Sequence, residues 1–305
     1  MRVLITMVAA AAITVSLGSP AAAAPLPVQY SLNAATATAL ARPDSAPPGS
    51  NDFTCRPSRA HPRPVVLAHG TLFNMTIDWQ ALSPLLKNAG YCVYAFTFGQ
   101  QPASNYLGFP GAAKVGGTGP IEESAAQLAR FVDRVRASTG APKVDIVGHS
   151  QGGMMARYYA KYLGGRSTID NLVGLAPSSH GTTVLGLASI PGVPEALRLG
   201  LGAAIRQQIA GSDFLRRLNA GGDTVPGIRY TVIETRYDEV VTPYTTAFLR
   251  GPNVTNILLQ DSCSQNYTDH LAIVYDRRAL SYVMRALDPS APIAPCVFST
   301  PLSGV

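Results

Sequence analysis

Short apolar runs separated by helical patterns set the rhythm of this chain. Val65-Val66-Leu67-Ala68, Tyr91 to Phe98, Val144 to Val147, Asn171 to Ala176, Tyr230 to Glu234 and Asn256 to Leu259 each have the length and side-chain character of a buried strand. Between them the period changes. Ile121, Ala125, Leu128, Val132 and Val135 recur at helical spacing up to Gly140, and a helix is expected through Trp79, Leu82, Leu85 and Leu86. Met154, Met155, Ala156, Tyr158, Tyr159, Ala160 and Leu163 supply another helix, and Leu271 to Leu287 a last one, with Asp269 as its expected cap. Strands alternating with helices, without period-2 hairpins, predict an α/β domain whose mostly parallel sheet is covered on both faces. No internal repeat is visible.

The ends of the chain break this rhythm. Arg2 precedes an apolar stretch, Val3 to Leu17, too short to span a bilayer, and Ser19 to Ala24 supplies small residues. A signal peptide at 1–23 and export are therefore expected, with no stable membrane insertion. Residues 24–52, rich in Ala, Pro and Ser, read as a flexible arm, and 53–305 as the catalytic-sized domain. The stretch from about 184 to 222 is apolar and broken by Pro191, Pro194 and several glycines, which predicts a small helical cap inserted between two core strands.

Composition narrows the class. Apolar residues make up 47% and charged residues 14% of the chain, values of a packed domain rather than a disordered one. The formal charge of +6 is scattered with no basic run, so nucleic acid is not an expected partner, and a monomer is expected. Cys55, Cys92, Cys263 and Cys296 form an even set in an exported chain, which allows three disulfide connectivities. Local pairing, Cys55 with Cys92 and Cys263 with Cys296, would tie loop segments to adjacent strands and contribute about 3–4 kcal/mol per bridge. No metal-ligand spacing competes with it, and no metal or cofactor is expected.

The chemistry concentrates at Gly148-His149-Ser150-Gln151-Gly152, between a predicted strand and a predicted helix. In such a G-x-S-x-G elbow the serine is held on a strained turn with its hydroxyl above the sheet, and small flanking residues let strand and helix approach. A serine needs a histidine to take its proton and an acid to orient that histidine, in the chain order serine, acid, histidine. His270 lies after the last strand, where the base belongs. His180 follows the wrong strand and reads as a loop or hinge residue, while His69 and His149 precede any acid and are expected to line the site. Asp238 is the preferred acid in the loop after the penultimate strand, with Glu239 as the alternative. The oxyanion would take the amide of Gln151 and that of Thr71, whose hydroxyl could add a third donor.

Taken in order, H-G-T (69–71), G-H-S-Q-G-G (148–153), A-P-S-S-H-G-T (176–182), Q-Q-I-A-G-S-D-F-L-R-R-L-N (207–219), Y-D-E-V-V-T-P (237–243) and D-H-L (269–271) resemble the secreted actinobacterial class 2 lipases and esterases of the α/β-hydrolase fold, distant relatives of the yeast lipase B group. The resemblance implies Ser150, Asp238 and His270 as the triad and Thr71 and Gln151 as oxyanion donors. It implies too that 176–182 and 207–219 border the acyl pocket. The chain departs from the yeast group in having His149 before the serine, so the alcohol side of the pocket cannot be copied across. Leu72, His149, Leu199 and Ile205 are the expected substrate contacts. The expected activity is hydrolysis of a lipid or other ester at a lipid–water interface, a triacylglycerol lipase first. A polyester depolymerase, a short-chain esterase, an acyltransferase and a non-catalytic surface protein are the alternatives.

Overall fold

The computed structural model describes residues 24–101, 115–183 and 202–302. Six strands form one sheet: β1 (Val65–Ala68), β2 (Val93–Phe96), β3 (Val144–His149), β4 (Ile169–Leu175), β5 (Arg229–Glu234) and β6 (Val254–Leu258). Their order is β2-β1-β3-β4-β5-β6, and every neighbouring pair is parallel. Parallel strands buried on both faces need apolar side chains pointing both ways, which is why β1 reads Val-Val-Leu-Ala and is buried throughout.

The pleat sorts these side chains into two cores. Val66, Ala68, Ile146, Leu172 and Val232 face α4 (Ile121–Thr139) and α5 (Gln151–Tyr162). Val65, Leu67, Val147, Val173 and Ile233 face the other way, onto α1 (Leu32–Ala41), α3 (Leu82–Asn88) and α9 (Arg277–Leu287). Helix α4 carries the expected apolar stripe and stops at Gly140, whose φ of 74° suits a residue without Cβ. Both cysteine pairs join locally, Cys55 to Cys92 and Cys263 to Cys296. Among the described residues no helix is long and apolar enough to cross a membrane.

Two expectations need correction. The arm at 24–52 contains helix α1, capped by Ser31 and packed through Leu32, Ala35 and Ala39. Around it, Asn88 holds both backbone groups of Leu26, and Asn51 pairs its side chain with both backbone groups of Ala95. An alanine-rich helix packs through a small flat face, which leaves little apolar periodicity to read. The last helix begins at Arg277 rather than Leu271, with Asp276 accepting from Ala279 N–H as its cap. Asp269 instead accepts from Leu271 and Ala272 N–H, closing a separate turn. The expected signal peptide at 1–23 lies outside the described residues. So does the first part of the cap insertion, 184–201, while its remainder shows α6 (Ala203–Gln207) and α7 (Asp213–Asn219).

Candidate functional site

β3 runs directly into α5 through Ser150, which sits at φ 50° and ψ −121°. A non-glycine residue there is strained, and the surrounding packing has to hold it. The glycines explain how. A Cβ on Gly152 would stand 2.1 Å from the carbonyl oxygen of Ala68, and one on Gly148 would stand 2.4 Å from the backbone of Gly152. Ser150 N–H donates to Leu175 O across the strand end at 2.9 Å. The serine thus opens into a cavity of about 290 Å³ at the carboxyl ends of the strands.

His270 lines the same cavity, from the loop between β6 and α9. Its Nδ1 donates to Asp238 Oδ2 at 2.7 Å. Asp238 Oδ1 is fixed in turn by the N–H groups of Val240 at 2.8 Å and Val241 at 2.6 Å. Glu239 does not reach the imidazole; its Oε2 accepts from the backbone N–H of His270 at 3.1 Å. Burial pulls the pKa of His270 down, but the charge and hydrogen bond of Asp238 outweigh this and raise it above the ordinary histidine value. A buried Asp–His pair facing a serine across one cavity can move a proton away from that serine.

Thr71, in the loop after β1, and Gln151, the first residue of α5, flank the serine. Neither backbone N–H donates to a protein acceptor among the described residues, as expected for an amide left free for a ligand. The Thr71 hydroxyl is 3.3 Å from Gln151 Oε1 and accepts from Gln208 Nε2 at 2.8 Å, while Ser178 donates to Gln208 Oε1 at 2.9 Å. That chain ties α6 to Thr71 and Gln151. Ile205, also from α6, and Leu72, at φ 62°, line the cavity beside Phe73, Val240 and Leu271. Leu199 lies outside the described residues.

The other histidines do other work. His149 borders the cavity, but both ring nitrogens are engaged: Nδ1 is 3.1 Å from Asp78 Oδ2, and Nε2 is 3.1 Å from the carbonyl oxygen of His270. Asp78 Oδ2 also accepts from Gly70 N–H at 2.7 Å. His69 does not line the cavity, contrary to expectation. It is buried, stacked on Phe98 with centroids 4.0 Å apart, donates to Gly70 O and accepts from Phe98 N–H. Burial pushes its pKa down to about 4, so it stays neutral at working pH. His180 Nδ1 is 2.9 Å from Thr246 O and its Nε2 is 3.0 Å from Asp223 Oδ1, away from the cavity. Asp78, Gln208 and Val241 were not singled out from the sequence. For Asp78, a lone carboxylate in the apolar run Met75-Thr76-Ile77-Asp78-Trp79 was the available signal.

Comparison with known proteins follows the geometry. A stretch of 102 residues is 35% identical to a triacylglycerol lipase of Pseudarthrobacter phenanthrenivorans, covering 32% of this chain and 28% of that protein. A triacylglycerol lipase of Burkholderia plantarii matches at the same identity and length over 25% of its own length. The matched stretch is thus about a quarter of these curated relatives. Among solved structures, Aspergillus fumigatus lipase B superposes with a TM-score of 0.61 at 21% identity, over 82% of this chain and 57% of that one. Bacillus licheniformis lipase BlEst2 in its mature form gives 0.56 at 17% identity, over 78% of this chain and 96% of that one. Both share the α/β-hydrolase fold. Residues 62–277 match the family described as lipase (class 2), the larger part of the chain, and the chain belongs to that family.

Proposed function

We propose that this protein is an exported serine carboxylic-ester hydrolase that cleaves acylglycerols at a lipid–water interface. The observation that carries this reading is the Asp238–His270 pair at 2.7 Å, opening into the cavity that Ser150 also lines. Ser150 Oγ attacks the ester carbonyl while His270 Nε2 takes its proton. Asp238 holds the imidazolium that forms, and the Thr71 and Gln151 amides receive the negative oxygen of the tetrahedral intermediate. The intermediate collapses by breaking the bond to the alcohol, which leaves with the proton from His270. Water, deprotonated by the same imidazole, then attacks the acyl-enzyme and releases the fatty acid. Leu72, Phe73, Ile205 and Leu271 give the acyl chain an apolar wall. Two disulfides and the apolar amino-terminal stretch support export. No cofactor has a part in this scheme.

The test is covalent labelling. A fluorophosphonate should modify Ser150 stoichiometrically and abolish turnover of a triacylglycerol emulsion, and Ser150→Ala should lose on the order of 10⁶-fold in kcat with its fold intact. A purified wild-type protein that ignores the label is not a serine hydrolase, and the scaffold would then serve binding only.

A further inference from the structure

β5 ends on Glu234, a fully buried carboxyl with no part in the scheme above. Its Oε1 accepts from Thr235 N–H at 2.7 Å. Its Oε2 is enclosed and meets no donor among the described residues. The group beside it is another acid, Asp238, whose charge and side chain disfavour a second charge on Glu234. Two ionised carboxylates cannot share a dry contact, because each raises the cost of the other's charge. One of the two must carry a proton. Asp238 has N–H donors from Val240, Val241 and His270, which settle a negative charge on it. Glu234 has one, which leaves it the proton.

We propose that Glu234 acts as a neutral carboxylic acid whose O–H donates to the Asp238 carboxylate, making it a positioning residue behind the Ser150–His270–Asp238 relay. The inference rests on the ester-hydrolase reading for its catalytic meaning, though not for the proton itself. Burial first, and then the charge of Asp238, push the pKa of Glu234 well above the ordinary carboxylate range. Glu239, on the same loop as Asp238, adds a further like charge. The other groups around this corner are His270, reached through Asp238, and the neutral Gln260 of α8 (Leu259–Ser262), whose Nε2 donates to Thr235 Oγ1 at 3.0 Å. The O–H gives the Asp238 carboxylate a further donor, holds it towards His270 and draws off part of its charge. Without that donor, the undiminished charge of Asp238 would bear on the imidazolium and hold it more tightly.

Two variants and a spectrum test this. Glu234→Gln keeps an oxygen for Thr235 N–H and an N–H for Asp238, so its kcat/KM and the acid limb of its pH profile should stay within about twofold of wild type. Glu234→Leu keeps the volume but has no donor, so kcat/KM should fall about tenfold or more, the scale of one charge-assisted hydrogen bond, with the acid limb displaced upward. At about pH 8, where exposed carboxyls are ionised, infrared difference spectra should show a protonated carboxylic acid in wild type that Glu234→Gln lacks. The absence of that band overturns the proposal, as does a Gln variant impaired as much as the Leu variant, or a Leu variant with wild-type rate and limb. Fluorophosphonate labelling is scored separately: failure there removes the hydrolase reading, while the infrared band still decides where the proton sits.

Discussion

Exchanging Asp238 for asparagine changes one atom, and the hydrogen bonds around it determine which way the amide must sit. Oδ1 receives two backbone N–H groups, from Val240 and Val241, so the amide oxygen has to stay there. The NH₂ group then faces His270 Nδ1, which at present donates to Asp238 Oδ2 at 2.7 Å. Two donors cannot face each other, so the imidazole shifts its proton to Nε2 and offers Nδ1 as an acceptor. That is the wrong tautomer, because Nε2 must be bare to take the Ser150 proton. The loss expected is about 10⁴-fold in kcat, or about 5 kcal/mol of transition-state stabilisation. Glu239→Gln provides the control: Glu239 Oε2 accepts from the backbone N–H of His270, and a glutamine oxygen can still accept there, so the loss should stay under about tenfold. Initial rates on a soluble ester under single-turnover conditions, with thermal unfolding measured alongside, would decide. If Asp238→Asn stays within tenfold of wild type, or Glu239→Gln is the worse of the two, the assignment of the acid is refuted.

Four further outcomes are expected. His270 must be neutral to act as a base and its pKa is raised, so kcat/KM should fall as pH drops through a value above 6.5; a limb below 6.5 would contradict the Asp238 coupling. By linkage the same raised pKa contributes stability that is fully present below the unfolded value and lost as pH rises through the folded one, readable from denaturation midpoints. Arg157 is buried, its pKa pulled down to about 10 by burial, and it donates to Ser179 O, Asn219 Oδ1 and Asp223. Arg157→Ala should cost about 3 kcal/mol in urea unfolding, because Ser179 O, Asp223 O and Asn219 Oδ1 each lose a charged donor, while the Asp223 carboxylate keeps His180 and the Arg250 N–H; a loss under about 1 kcal/mol would mean water replaces the guanidinium. Ile205→Asp places a charge in the apolar wall and should penalise decanoate esters more than acetate esters, since each buried methylene is worth about 0.8 kcal/mol. Equal losses would remove Ile205 from the acyl pocket.

The parts readable from sequence were those where one local rule acts alone. β1 and β3 are continuous apolar runs because both of their faces are buried, and α4 shows its stripe because only one of its faces is. The elbow was visible because the glycines either side of Ser150 serve a close approach that any other residue would block. The choice between Asp238 and Glu239 stayed open, since adjacent side chains diverge and only the folded loop aims one of them at the imidazole. Glu234 and Asp78 were missed for a related reason. Each is a carboxyl in an apolar setting whose partner only the folded chain reveals, Asp238 in the loop that follows Glu234 and His149 71 residues from Asp78. The start of the last helix was misplaced because Asp269 and Asp276 are both capping acids, and only the chain between them shows which opens the helix.

The engagement of His149 has a practical consequence for anyone redesigning this enzyme. The position before the nucleophile borders the cavity, which makes it an obvious target for libraries meant to widen the alcohol side. Here that side chain is a strut, joining Asp78, and through it Gly70, to the backbone of His270. A library at 149 would mostly sample clones in which the loops carrying Gly70 and His270 have lost their common brace, and selectivity would be confounded with damage. Leu72, Phe73 and Leu271 border the same space without that duty, and they are where diversity can be introduced while the brace stays whole.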